Sequence, residues 1–258
     1  MPILKLDAGD FYYSLEGPVD APVLVLSNSL GTTMAMWDSQ VEVLRPRYRV
    51  LRYDTRGHGR SLASAAPCTL QMLGQDVLHL LDALKIDKFH FCGISMGGLT
   101  GLWLALHAGD RLQKLVVADS AARIGSADGW RARAQLVRES GMAEVAAGAP
   151  GRWFTAAFIA QAPDLVQQHV ATLGASSPAG YAACCLALAD ADLRSEIAEI
   201  KAPTLLIVGV HDPVTTTGDA RFLQDAIAAA QYAELNASHL SNIEASADFN
   251  RLLLRFLA

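Results

Sequence analysis

The stretch Phe89-His90-Phe91-Cys92-Gly93-Ile94-Ser95-Met96-Gly97-Gly98 decides the fold of this 258-residue chain. An apolar run leads into Gly93 and is typical of a buried strand, and a second run, residues 99–108, continues at helical spacing. A strand that turns at once into a helix forces its central residue into strained backbone angles, so the residues two positions away must be very small. Gly93, Ser95 and Gly97 therefore predict a sharp turn that exposes the serine hydroxyl.

Strands and helices alternate on both sides of this turn. Continuous apolar runs such as Val23–Ser27 are typical of strands that are covered on both faces of a parallel sheet. The pattern predicts strands at 3–6, 11–16, 23–27, 48–53, 89–94, 115–119, 204–209 and 233–235, and helices at 36–44, 69–84, 99–108, 219–229 and 247–257.

One long segment breaks the alternation. Residues 120–198 are rich in alanine and helical in pattern, with proline and glycine interruptions near 148–151 and 176–178. Because strand–helix alternation resumes after this segment, we expect a sheet-containing core formed by residues 1–120 and 199–258. Residues 121–198 are then predicted to form a helical cap that is inserted between the two halves of the core.

Composition and charge exclude several classes of protein. The net charge of −5 gives no basic surface for nucleic acid. No segment reaches the ~18 uninterrupted apolar residues that a membrane span needs, and the N-terminal residues lack the apolar core of a signal peptide. The four cysteines form no C-x-x-C motif, and Cys184 and Cys185 are adjacent, which favours reduced thiols in a cytoplasmic protein.

Three residues at predicted strand ends point to nucleophilic catalysis. A serine nucleophile needs a base, and the base needs a carboxylate to orient it. Asp212 follows the predicted strand 204–209, and His239 follows the last predicted strand, so both are expected at the sheet edge where Ser95 lies. Their order along the chain predicts a Ser-His-Asp triad, with Asp119 as the rival acid. The other histidines are expected to be structural or exposed: His58, His79, His90, His107, His169 and His211.

An oxyanion that develops on a substrate carbonyl requires two backbone N–H donors. The first is predicted at Met96, directly after the nucleophile. The second is predicted at Leu30, in the small-residue loop 28–33 that follows the strand 23–27. An ordinary loop is the alternative for residues 28–33, because a backbone donor carries no sequence signature of its own.

These motifs resemble those of the 3-oxoadipate enol-lactonases, a family of α/β-hydrolases of bacterial aromatic catabolism. The resemblance spans nearly the whole chain and is carried by residues 26–33 with Met36-Trp37-Asp38, 51–59, 92–98, 182–185 with 190–194, and 237–244. Its more specific parts are Ser27-Asn28-Ser29-Leu30-Gly31 and Ser238-His239-Leu240-Ser241-Asn242-Ile243-Glu244, whereas Ile94 departs from the leucine expected there. The resemblance implies an α/β-hydrolase fold: a mostly parallel eight-stranded sheet with helices on both faces and an inserted helical cap.

The resemblance also implies the reaction, which is hydrolysis of 3-oxoadipate (β-ketoadipate) enol-lactone to β-ketoadipate through an acyl-serine, without cofactor or metal. The substrate would be a small anionic lactone, so a net acidic protein needs a local cation to bind its carboxylate. Trp130 and Arg133 are three residues apart and share a helix face, as a Trp and an Arg do in those lactonases. We expect these two to bind the substrate; the alternative is an aromatic side chain that packs the cap against the core, with a solvated arginine beside it. The cap offers other candidates: Arg123, Arg131, Arg152 and Trp153.

Two alternatives stay open. Another α/β-hydrolase, such as an esterase, another lactonase or a cofactor-free haloperoxidase-like enzyme, would carry the same three catalytic residues and differ in its cap. A ligand-binding protein of this fold would need no turnover, although the joint presence of Ser95, Asp212 and His239 counts against it. Dehalogenase chemistry is disfavoured, because it requires an aspartate at the position of Ser95.

Overall fold

The computed structural model describes residues 2–63, 67–228 and 230–258. Eight strands form one sheet in the order β1-β2-β4-β3-β5-β6-β7-β8. They are β1 Ile3–Leu6, β2 Gly9–Glu16, β3 Val23–Ser27, β4 Arg49–Tyr53, β5 Phe89–Ile94, β6 Leu112–Ala118, β7 Thr204–Gly209 and β8 Ala230–Leu235. The β1–β2 and β2–β4 pairs are antiparallel, and the other five pairs are parallel. The predicted mostly parallel eight-stranded sheet is confirmed.

Twelve α-helices lie within the described residues. They are α1 Asp38–Leu44, α2 Leu70–Ala83, α3 Met96–His107, α4 Ala127–Ser140, α5 Ala143–Ala147, α6 Ala149–Trp153, α7 Ala156–Gln161, α8 Pro163–Gly174, α9 Pro178–Asp190, α10 Thr217–Ala226, α11 Ser241–Glu244 and α12 Ser246–Leu257. Short 3-10 helices form at Met34–Trp37 and Ile197–Glu199. Helix α3 packs against the central strands β5 and β6, and α10 packs against β7 and β8.

Several element boundaries differ from the prediction by two or three residues. The start of the helix predicted at 36–44 is a 3-10 turn, Met34–Trp37, and α1 begins only at Asp38. Strand β8 begins at Ala230, three residues before the predicted start, because it lies at the sheet edge and is mostly half-exposed, so it lacks the continuous apolar run of a buried strand. The preceding helix ends at Ala226, and Ala229, where the prediction ended it, lies outside the described residues.

Six consecutive helices, α4 to α9, connect β6 to β7 and occupy the place predicted for the cap. We call this segment the helical insertion; the division of the chain into core and cap stays a prediction. The insertion approaches the core closely at Gly180 of α9. A Cβ atom on Gly57, which has φ +79°, would lie 2.7 Å from the Gly180 carbonyl oxygen, so the two backbones meet where neither residue carries a side chain.

None of the described helices is by itself long and apolar enough to cross a membrane. Helices α8 and α9 reach that length and composition only when they are counted together, and they meet at an angle of 93°.

Candidate active site

Ser95 occupies the sharp turn between β5 and α3. Its backbone is strained, with φ 57° and ψ −118°, and α3 begins at the next residue, Met96. A Cβ atom on Gly93 would lie 2.2 Å from the Gly97 carbonyl oxygen, and one on Gly97 would lie 2.3 Å from the Ser27 carbonyl oxygen. The steric reason for small residues on both sides of the serine is therefore met in the structure.

Asp212 and His239 meet beyond the ends of β7 and β8. The His239 Nδ1 atom lies 2.7 Å from Asp212 Oδ2, and both side chains are buried. Asp212 also accepts hydrogen bonds from the Val214 N–H at 2.7 Å, the Thr215 N–H at 3.1 Å and the Thr215 hydroxyl at 2.7 Å. Burial raises the pKa of Asp212. The charge and hydrogen bond of His239, together with these donors, lower it by more than burial raises it, so the net shift is downward.

Asp119, the rival acid, is occupied elsewhere. Its Oδ1 accepts the Gly209 N–H at 2.7 Å, and its Oδ2 accepts the Ser241 hydroxyl at 2.5 Å. Burial, followed by repulsion from Asp212, raises the pKa of Asp119 to about 7. Asp119 therefore ties the end of β6 to the end of β7 and to the segment after His239, while Asp212 is the carboxylate that is hydrogen-bonded to the imidazole.

The pKa of His239 is raised as a result of this arrangement. Burial and the positive charge of Arg152 lower this pKa. The charge and hydrogen bond of Asp212, together with the charge of Asp119, raise it by more, so the net shift is upward. An imidazole whose Nδ1–H is held by a carboxylate has only Nε2 left to accept a proton. His239 therefore has the chemistry of a general base.

Ser95 and His239 line the same cavity, which has a volume of about 280 Å³. Leu30 of the β3–α1 loop lines it too, and the insertion contributes Trp130, Arg133 and Arg152. The other histidines, all of which are described, do not line this cavity. The fold thus brings the predicted nucleophile, base, loop and substrate-binding residues together around one space large enough for a small molecule.

The loop around Leu30 is held by side chains from two neighbouring segments. The Asn28 side chain donates to the Tyr53 carbonyl oxygen at 2.8 Å and accepts the Trp37 indole N–H at 3.0 Å. The Gly31 N–H donates to His58 Nε2 at 2.8 Å. The adjacent Leu30 N–H has no acceptor among the described residues. Met96, as the first residue of α3, has an N–H without an acceptor inside its helix.

Trp130 and Arg133 both line the cavity, but the indole N–H of Trp130 is already bonded within the protein. The Trp130 N–H already donates to the Ile124 carbonyl oxygen at 2.6 Å, so Trp130 presents its ring rather than its N–H to the cavity. The Arg133 guanidinium carbon lies 4.9 Å from the centre of that ring. Arg123 and Arg131 form ion pairs with Asp192 and Asp190 instead.

Comparisons with known proteins agree with this architecture. Residues 22–246 match a family model described as alpha/beta hydrolase fold. The chain is 48% identical to 3-oxoadipate enol-lactonase 2 of Acinetobacter baylyi over 92% of this chain and 89% of that protein. It is also 48% identical to 3-oxoadipate enol-lactonase 1 of that organism, over 94% of this chain and 91% of that protein. The chain belongs to the 3-oxoadipate enol-lactonase family of α/β-hydrolases.

A solved structure of this family superimposes on nearly every residue. The enol-lactonase from Burkholderia xenovorans LB400 is 44% identical, with a TM-score of 0.97 and coverage of 99% of each chain. The α/β-hydrolase fold predicted from the sequence is thereby confirmed, insertion included.

Sequence reasoning missed two side chains that organise the site of this α/β-hydrolase. His58 is buried, and its Nδ1 lies 3.1 Å from the Arg56 carbonyl oxygen, so burial and both ring contacts fit a neutral imidazole that holds Gly31. Glu244 accepts the Ser238 N–H at 2.9 Å and the Thr155 N–H at 3.2 Å, and so joins the His239 segment to the insertion. The only sequence signal was their position inside the motifs that carry the resemblance.

Among the described residues, no group of three or more His, Cys, Asp or Glu side chains is arranged to hold a metal ion.

Proposed function

We propose that this enzyme hydrolyses 3-oxoadipate enol-lactone to 3-oxoadipate, with Ser95 as the nucleophile, His239 as the base and Asp212 as the orienting acid. The observation that carries this proposal is the 2.7 Å contact between His239 Nδ1 and Asp212 Oδ2 at the edge of a cavity that Ser95 also lines. The two A. baylyi relatives, named 3-oxoadipate enol-lactonases, support the choice of substrate.

The first half of the reaction forms an acyl-serine. The Ser95 oxygen attacks the lactone carbonyl while His239 Nε2 takes the hydroxyl proton. Negative charge develops on the carbonyl oxygen, where the Leu30 and Met96 N–H groups are proposed to donate hydrogen bonds. Each such donor is typically worth a factor of about 100 or more in rate. The ring C–O bond then breaks, and the ring oxygen leaves as an enol or enolate.

The second half releases the product. The leaving group stays tethered to the acyl chain and would re-close the ring if it remained a nucleophile. Protonation by His239 and tautomerisation to the ketone remove that nucleophile. A water molecule, activated by the same histidine, then attacks the acyl-serine and frees 3-oxoadipate together with Ser95.

Arg133 is proposed to bind the substrate carboxylate, with the Trp130 ring forming an apolar side of the same pocket. The stacking of Arg133 on Trp130 at 4.9 Å supports this pairing, because it orients the guanidinium while leaving N–H groups free for a carboxylate. Because the Trp130 N–H is bonded to the Ile124 carbonyl oxygen, Trp130 is proposed to shape the pocket with its ring and to donate no hydrogen bond to the substrate.

The decisive experiment measures enol-lactone turnover by the wild type and by Ser95→Ala. We expect kcat to fall by several orders of magnitude, roughly a million-fold, because the nucleophile is removed. Similar turnover by both proteins would refute the role of Ser95. A related hydrolase function would appear instead as faster turnover of a saturated γ-lactone or of p-nitrophenyl acetate than of the enol-lactone.

A non-catalytic binding protein is tested separately with a fluorophosphonate probe. The probe should label wild-type protein covalently and leave Ser95→Ala unlabelled, because only an activated serine reacts. Absence of labelling in the wild type would favour the binding alternative.

A further inference from the structure

Two arginines face the candidate active-site cavity without a carboxylate partner. Arg133 of α4 and Arg152 of α6 both line the cavity, and none of the ion pairs formed by the described residues includes either of them. Arg131, on the same helix as Arg133, pairs with Asp190 at 2.6 Å. Two like charges beside one small cavity repel each other, so the arrangement fits a ligand that offers two sites of negative charge.

Arg152 is held in a fixed relation to the candidate base. Its Nη2 atom donates to the Val145 carbonyl oxygen at 2.7 Å. The next residue, Trp153, accepts the Leu240 N–H at 3.0 Å, and Leu240 directly follows His239. The Glu244 carboxylate reinforces this connection by binding both Thr155 and Ser238. The backbone next to Arg152 is therefore hydrogen-bonded to the backbone next to His239, and both side chains line the cavity.

The two arginines line the cavity together with Tyr181. Tyr181, a buried residue of α9 whose pKa is raised to about 12 chiefly by burial, senses the positive charge of both Arg133 and Arg152. Burial, followed by the charge of Arg133, lowers the pKa of Arg152. An anion that reached both guanidinium groups would relieve this repulsion.

The proposed substrate begins with one negative charge and acquires a second during the reaction. The lactone carries a free carboxylate, and ring opening places charge on the former ring oxygen. In 3-oxoadipate this oxygen is on the carbon β to the free carboxylate, with a single methylene group between, so the two anionic groups lie side by side. A cation for the second charge must therefore sit close to the cation for the first and near the base.

We propose that Arg152 binds the ring oxygen of the lactone as it departs as an enolate, while Arg133 holds the carboxylate. This inference rests on the proposed function. The Ser95 oxygen–carbonyl carbon bond forms, the ring C–O bond breaks, and its electron pair stays on the ring oxygen, which accepts hydrogen bonds from the guanidinium. The proton that Ser95 gave to His239 then passes to the enolate, which becomes the ketone when the proton is on carbon. His239 is neutral again for the water step.

The test compares Arg152→Met with Arg133→Met on two enol-lactones. One is 3-oxoadipate enol-lactone, and the other is α-angelica lactone, which has the same ring with a methyl group in place of the carboxymethyl group. We expect Arg152→Met to lower kcat roughly 100-fold on both lactones, because a donor to the developing charge is lost. Arg133→Met should raise KM for the carboxylate-bearing lactone alone.

Two further variants serve as controls. Arg131→Met removes an exposed arginine of the same helix as Arg133 and should behave as wild type on both lactones. Arg152→Lys retains the charge and should recover part of the lost kcat. The rate of fluorophosphonate labelling of Ser95 in Arg152→Met should stay within about threefold of the wild type, because that probe releases no enolate.

The outcomes separate the inference from the proposed function. If the wild type does not turn over the enol-lactone, the proposed function itself fails. If the wild type is active but Arg152→Met keeps its kcat, or raises KM only for the carboxylate-bearing lactone, the enolate role is overturned. A parallel loss of fluorophosphonate labelling would also overturn it, since the defect would then lie in the serine and histidine rather than in the departing oxygen.

Discussion

The cavity has one side made of strand ends and another made of short helices, and the two sides hold their side chains differently. Ser95, Asp212 and His239 follow β5, β7 and β8, and their positions are set by backbone turns and by bonds such as the 2.7 Å His239–Asp212 contact. Arg133 and Arg152 reach the cavity on long side chains from helices of the insertion. The sheet thus holds the proposed reacting groups through backbone turns and short bonds, and the insertion is proposed to select the molecule they meet.

Hydrogen bonds connect the two sides beside His239. The Leu240 N–H donates to Trp153, and Glu244 binds Ser238 on one side and Thr155 on the other. All of these bonds lie within six residues of His239 in the chain or contact that segment. These bonds hold the insertion against the segment that carries His239, the proposed base.

After Ser95→Ala, substitution of Asp212 gives the largest expected effect, and Asp119 provides the comparison. Asp212→Asn should lower kcat about 10,000-fold, because the imidazole loses the carboxylate that fixes its tautomer. Asp119→Asn should cost less than about tenfold, since Asp119 binds Gly209 and Ser241 instead of the base. Steady-state kinetics on the enol-lactone measures both. An equal loss in the two variants would mean that Asp119 shares the role of the acid.

Glycine-to-alanine changes compare how tightly the two sides are packed. Gly93→Ala should lower the free energy of unfolding by about 3 kcal/mol, because the new Cβ would lie 2.2 Å from the Gly97 carbonyl oxygen. Gly151→Ala, in α6 with no atom within 4 Å of the new Cβ, should be neutral or stabilise by about 0.5 kcal/mol. Urea denaturation measures both values. Similar stabilities would show that the turn at Ser95 relaxes more easily than its contacts indicate.

The pH dependence of kcat/KM tests mainly the strand-end side, where Asp212 and Asp119 act on His239. Asp212 raises the pKa of His239 above its usual 6.5, and a base acts only when it is unprotonated. Activity should therefore be full above this raised pKa and fall about tenfold per pH unit below it. A profile of initial rates with the enol-lactone measures the midpoint. A midpoint below 6.5 would contradict the dominance of Asp212 over burial.

A smaller effect is expected where the two sides join. Glu244→Gln removes the charge and replaces one acceptor oxygen with an NH2 donor. Oε2 accepts the Ser238 and Thr155 N–H groups, whereas Oε1 accepts the Thr155 hydroxyl, so an amide nitrogen at Oε1 can no longer accept from that hydroxyl. We expect unfolding free energy to fall by about 1–2 kcal/mol, with kcat/KM reduced a few-fold. Glu234→Gln, which removes an exposed pair with Arg221, should change neither. A silent Glu244→Gln would indicate that the Leu240–Trp153 bond is sufficient to hold this junction.

The sequence predicted the strand-end side of the cavity better than the insertion side, because local rules act on the first and contacts between distant residues decide the second. Gly93, Ser95 and Gly97 were predictable because a steric rule acts over five consecutive residues. The choice of Trp130 and Arg133 depended on resemblance, and the occupation of the Trp130 N–H by Ile124 could not be foreseen, because an irregular backbone carbonyl leaves no pattern. His58 was predicted to be structural or exposed, and its contact with Gly31 is a tertiary event.

The sequence by itself determined the parallel sheet, the strained serine and the chain order of the proposed nucleophile, acid and base, because apolar periodicity and local sterics act between near neighbours in the chain. Only the tertiary structure decided that His239 pairs with Asp212 rather than Asp119, and that Arg133 and Arg152 face the cavity while Arg123 and Arg131 find carboxylates elsewhere. Those choices depend on distances between residues far apart in sequence, which are set only when the sheet and the insertion pack together.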